Sequence, residues 1–71
     1  MNTKILEKLG KNLKSLRLDK KFTQEELAEK VGVHPTYIGK LEGGKNNPSA
    51  MLLYKISRAL DTNLKDLFDF K

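Results

Sequence analysis

The stretch AEKVGVHPTYIGKL, residues 28–41, decides how the rest of the chain is read. Its small and apolar residues stand where two short helices meeting at a sharp turn need them. Upstream, Thr23-Gln24-Glu25-Glu26 places a hydroxyl at a helix N-cap and a carboxylate three positions on, so that side chains satisfy the orphan amides of a first turn. The helix this opens runs from about Gln24 to Val31. Leu27, Ala28 and Val31 fall on one face, and Ala28 is small enough for a second helix to cross closely. Gly32 supplies the left-handed conformation that ends the first helix. His34-Pro35 restarts the chain, because proline's fixed φ and missing donor suit the first helical position. Ile38 and Leu41, three apart, turn the second helix inward and leave Pro35, Thr36, Gly39 and Lys40 facing out. Two helices joined this way hold the second one outward, as a helix must be held to enter a DNA groove.

Working outward, the spacing predicts an all-α fold of five helical segments in one domain, residues 1–71. The first runs from about Lys4 to Asp19, and the next two are those above. Residues 43–48, GGKNNP, make a loop rich in helix breakers. Ser49 caps a fourth helix to about Leu60, with Leu52, Leu53, Ile56, Ala59 and Leu60 as its core stripe. Asn63, with Asp66 three residues later, caps a short fifth helix bearing Leu64, Leu67 and Phe68. A chain of 71 residues buries only about 60% of its unfolded surface, so the core must be economical. It is expected from Phe22, Leu27, Val31, Val33, Ile38, Leu41, Leu52, Ile56 and Leu60 together with the leucines of the first helix.

Net charge is +5, and the excess is concentrated. Residues 1–21 carry seven Lys or Arg against Glu7 and Asp19, whereas residues 22–71 carry seven of each sign. Lys4, Lys8, Lys11 and Lys14 share one side of the first helix, opposite Leu6, Leu9, Leu13 and Leu16. Such a stripe is either an ordinary solvated face or an electrostatic footprint for phosphates, and beside the turn motif the second reading gains weight. The chain has no cysteine, which removes disulfides and thiolate metal sites and fits a reducing cytoplasm. Lysines interrupt every apolar stretch, so neither a membrane span nor a signal-peptide pattern is read. One histidine is not a metal site, and no nucleophile stands with paired carboxylates, so no enzyme, metal or cofactor is expected.

At this point the chain resembles the helix-turn-helix family of phage repressors and Cro proteins, which also holds small bacterial regulators and restriction-modification controllers. The resemblance covers about Leu9 to Phe68. It rests on Arg17, TQEELAEKVGV from Thr23, TYIGKLEGG from Thr36, NPS at 47–49 and ISRALDTNLKDLF from Ile56. It implies a compact domain of the lambda-repressor type that binds double-stranded DNA and regulates transcription. Gln24 matches a glutamine that, with the amides of its helix N-terminus, holds a phosphate. Pro35, Thr36 and Lys40 match the base readers, with Tyr37 and Gly39 beside them. There is no Asn or Gln here to grip adenine, so Lys40 to guanine O6 or N7 is the direct polar readout, a phosphate contact being its alternative. Thr36 offers a methyl or a hydroxyl, Pro35 an apolar contact, and Gly39 a close approach. Tyr37 is expected to give its hydroxyl to a phosphate, and His34 to cap the helix or donate to a phosphate. Lys45 and Asn46 match a loop that holds the DNA backbone. Arg17 and Glu42 match an ion pair that orients the recognition helix, with the guanidinium sharing a phosphate. Lys21 and Asp61 depart from the pattern, since many relatives have glycine there.

One small module buries about 600–1,000 Å² on DNA, so a homodimer on a pseudo-palindromic operator is expected. Its interface is read in the C-terminal Leu64, Leu67, Phe68 and Phe70. The competing reading is an antitoxin-like protein-interaction module whose DNA binding is autoregulatory.

Overall fold

A computed structural model describes residues 2–70. It contains α1 (Thr3–Asp19), α2 (Gln24–Val31), α3 (Pro35–Glu42), α4 (Ala50–Ala59) and a 3-10 segment, Leu64–Phe68. Among the described residues there is no strand. The expected fifth α-helix is this five-residue 3-10 segment instead. It is held from outside, because the Asn12 side-chain amide donates to the carbonyls of Asp66 and Leu67 at 2.9 and 2.8 Å. Those carbonyls look out to α1, and so short a piece has few longer-range helical bonds to lose by tightening.

Side chains fix the start of each helix. Asn2 accepts from the Ile5 amide, Thr23 from that of Glu26 and Ser49 from that of Leu52. The Glu26 carboxylate returns to the Thr23 amide at 2.8 Å and completes a capping box. Gly32 ends α2 at φ 77°, with its amide on the Ala28 carbonyl. Lys21 and Asp61 take the same left-handed conformation at φ 61° and 54°, so both turns keep the geometry of a glycine without having one.

Leu9, Leu13, Leu27, Ala28, Val31, Ile38, Leu41, Leu53, Ile56, Leu60 and Leu67 form the core. Leu16, Phe22, Val33 and Leu52, expected inside, are half-buried at its rim. Phe22 lies in the loop before α2, where one side of the ring meets the core and the Lys30 ammonium stands 4.9 Å from its centroid. Leu67 has no exposed surface. It belongs to the chain's own core, which removes it from the expected dimer contact. No described helix is long and apolar enough to cross a membrane.

What positions α3 is its crossing with α1. A Cβ on Gly10 would lie 2.5 Å from the carbonyl oxygens of both Leu41 and Glu42, so only glycine lets the two backbones come this close. Gly10 carries no signal in the sequence beyond being a glycine inside a helical pattern.

Candidate nucleic-acid interface

The site is built on the start of α2, the outer face of α3 and the loop that follows. α3 is two turns long, too short to persist alone, so its presentation depends on tertiary packing. Ile38 and Leu41 are buried beneath it. At its N-terminus His34 is the cap, its Nδ1 accepting from the Thr36 amide at 3.1 Å. A ring nitrogen that accepts leaves the proton of a neutral imidazole on Nε2, so a capping His34 can also donate outward. Pro35 follows at the first helical position.

Thr36 and Lys40 are exposed on the outer face of α3, and Pro35, Tyr37 and Gly39 are half-buried around them. Tyr37 lays its ring against the core cluster. Lys45 is exposed and Asn46 half-buried in the loop after α3. Gln24 reaches across to α3. Its Nε2 donates to Glu42 Oε1 at 3.1 Å, and its amide atoms lie 3.6 to 3.9 Å from where a Cβ on Gly39 would be. Gln24 and Gly39 therefore belong to one surface.

Arg17 is placed differently from the rest. Its Nε donates to Glu42 Oε2 at 2.6 Å, its Nη2 to Glu42 Oε1 at 3.1 Å and its Nη1 to the Phe22 carbonyl at 2.6 Å. Arg17 is 6% exposed and Glu42 8%. The ion pair is present and the guanidinium is largely covered by the chain, with three of its five N–H donors given to these acceptors. Arg17 thus joins α1, the α1–α2 loop and the end of α3 from within. Breaking a buried pair of this kind costs about 3–5 kcal/mol, because one charge is left without its partner.

The lysine stripe lies largely to one side of this surface. The edge of α1 that meets α3 carries Gly10 and Arg17. Lys8 and Lys11 instead line a recess with Asn12, Ser15 and Phe70, beside the C-terminal segment. Lys14, four residues beyond Gly10 and three before Arg17, is the stripe residue nearest the α3 edge.

Among the described residues, no group of three or more His, Cys, Asp or Glu side chains is arranged to hold a metal ion. The Asp66 carboxylate is held below the usual carboxylate range, chiefly by the Thr62 hydroxyl and then by the Asn63 amide. It serves the turn before the 3-10 segment, away from α3.

Comparison with known proteins places this geometry. The profile of the family described as helix-turn-helix matches residues 13–67. An HTH-type transcriptional regulator of Archaeoglobus fulgidus is 55% identical over 49 residues, which cover 69% of this chain and 70% of that one. The crystal structure of the restriction-modification controller C.AhdI from Aeromonas hydrophila superposes with a TM-score of 0.87 at 38% identity, covering 89% of this chain and 96% of the other. SinR, a regulator of biofilm formation solved in complex with DNA, superposes with a TM-score of 0.79 at 37% identity, covering 86% and 98%.

Proposed function

This chain belongs to the helix-turn-helix family of Cro- and C1-like regulators, and from that premise we propose that it is a sequence-specific, double-stranded-DNA-binding transcriptional regulator acting as a homodimer on a pseudo-palindromic operator. The observation that carries this reading is the outer face of α3, where Thr36 and Lys40 stand exposed while Ile38 and Leu41 hold the helix from behind. Residues 1–71 act as one DNA-binding module in the cytoplasm.

Each side chain has a role in this reading. Lys40 and Thr36 meet base edges, with Pro35 as an apolar neighbour and Gly39 allowing close approach. Gln24 and the first-turn amides of α2 hold a phosphate. His34, Tyr37, Lys45 and Asn46 hold the backbone and set the register in which α3 lies. Arg17 acts through Glu42. Leu64 and Phe68 are 40% and 38% exposed on the 3-10 segment and supply the apolar surface for a second copy. Phe70 is half-buried against its own chain and contributes its edge.

Selection of binding sites from random duplexes by the purified protein, at two salt concentrations, tests this reading. An inverted repeat with half-sites one helical turn apart is expected, with affinity falling steeply as salt rises. Recovery of no motif, with binding lost uniformly as salt increases, would overturn it and leave the interaction-module reading in its place.

A further inference from the structure

Glu42 closes α3, and its carboxylate serves two other helices. Arg17 of α1 grips both oxygens, and Gln24 of α2 donates its amide nitrogen to Oε1. A glutamine amide has a donor end and an acceptor end, and only its neighbours decide which way it faces. An ionised carboxylate has no proton to offer, so it accepts the NH2 end and repels the carbonyl end. The Gln24 amide faces Gly39 of α3, its atoms 3.6 to 3.9 Å from where a Cβ on that residue would stand. One N–H is committed to Glu42 and the second remains available. Arg17 balances the carboxylate charge, which would otherwise stand unopposed near any approaching anion.

We infer that Glu42 is a positioning residue for DNA binding, orienting Gln24 so that its remaining N–H is presented to a backbone phosphate and tying that contact to the seating of α3. This rests on the proposed phosphate contact of Gln24 and adds to it a defined amide orientation and an energetic link through Glu42. The α2 anchor and the base-reading face of α3 are therefore set by one shared oxygen.

The test is a double-mutant cycle in affinity for a duplex recovered by site selection. Gln24→Ala is measured in the wild-type and Glu42→Gln backgrounds, at a temperature where thermal melts show every variant folded. Glu42→Gln keeps the side-chain shape and an acceptor for Arg17, but it also offers an NH2 group and so no longer dictates which end of Gln24 it meets. Gln24→Ala is expected to weaken binding by about tenfold in the wild type, as for loss of a hydrogen bond to a charged group, and by no more than about threefold in the Glu42→Gln background. Equal losses in both backgrounds would overturn the link through Glu42 while leaving Gln24 as a contact. No loss in either would overturn the phosphate contact itself. A measurement on the wild-type protein keeps the inference testable if Glu42→Gln unfolds the chain. One Gln24 side-chain amide proton should show a hydrogen-bond coupling or short contact to Glu42 and slowed exchange with water, with the other exchanging freely. Two protons that both exchange like those of a solvent-exposed glutamine, with no contact to Glu42, would contradict the assignment.

Discussion

Gly39 occupies the middle of α3, where alanine is the better helix former by about 1 kcal/mol. Among the described residues nothing excludes a methyl group there, since the nearest atoms to an added Cβ are those of Gln24 at 3.6 Å and beyond. Gly39→Ala is therefore expected to raise the melting temperature by several degrees while weakening DNA binding by about tenfold, because the methyl would meet the duplex. Melting curves and a binding titration check the two halves separately. Unchanged affinity would mean that Gly39 does not lie against DNA. Asp66 poses a different question, because its carboxylate is held low by the Thr62 hydroxyl first and the Asn63 amide second, with Lys65 adding to them and burial opposing. A depressed carboxylate contributes stability that is complete above its unfolded value, about 3.9, and is lost as pH falls through the lower folded value. The wild type should therefore lose melting temperature more steeply than Asp66→Asn between about pH 5 and pH 2. Parallel losses would show that the Thr62–Asp66 hydrogen bond does not persist in solution.

Among the elements, the crossing of α1 and α3 is the tightest feature of the fold. Gly10→Ala places a methyl group 2.5 Å from two backbone oxygens that cannot turn aside. Helix propensity would return about 1 kcal/mol, but overpacking against backbone costs about 3 kcal/mol or more, so a clear net loss of stability is expected by denaturant titration. Lys21 works in the opposite sense. Its left-handed φ of 61° disfavours any side chain, so Lys21→Gly should stabilise the chain by up to about 1 kcal/mol, measured the same way. The same two residues show what is legible in the sequence. Thr23, Gly32, His34 and Ser49 each fix a boundary by a local hydrogen bond or conformation, and so α2, the turn, α3 and the start of α4 can be read from neighbours a few residues away. The closeness of Gly10 to α3, the burial of Arg17 and the enclosure of Leu67 depend on contacts between distant segments, and no local pattern encodes them. The 3-10 form of the last segment is hidden for the same reason, because Asn12, more than fifty residues earlier, holds it. Gln24 stands out by its place at a helix start, but its hydrogen bond to Glu42 spans two helices and leaves no trace in spacing.

For the molecule as a whole, the described residues extend over 27 × 22 × 21 Å, while half-sites one turn apart are separated by about 34 Å. Two copies side by side on such an operator would meet over a limited area, with Leu64 and Phe68 as its apolar part. The double substitution Leu64→Ala, Phe68→Ala should shift sedimentation toward the monomer at concentrations where the wild type is dimeric, and leave binding to an isolated half-site within about twofold. A wild type that stays monomeric even on the full operator would remove the dimer. The outward face of α3, seated by the core and by the Arg17–Glu42 pair, is what all of this depends on. Backbone amide shifts recorded while a selected duplex is titrated into labelled protein test it most directly. The largest changes should fall on Gln24, Thr36, Gly39, Lys40 and Lys45, with Lys8 and Lys11 nearly still. Changes centred on Lys8, Lys11 and Phe70, with α3 unmoved, would contradict it.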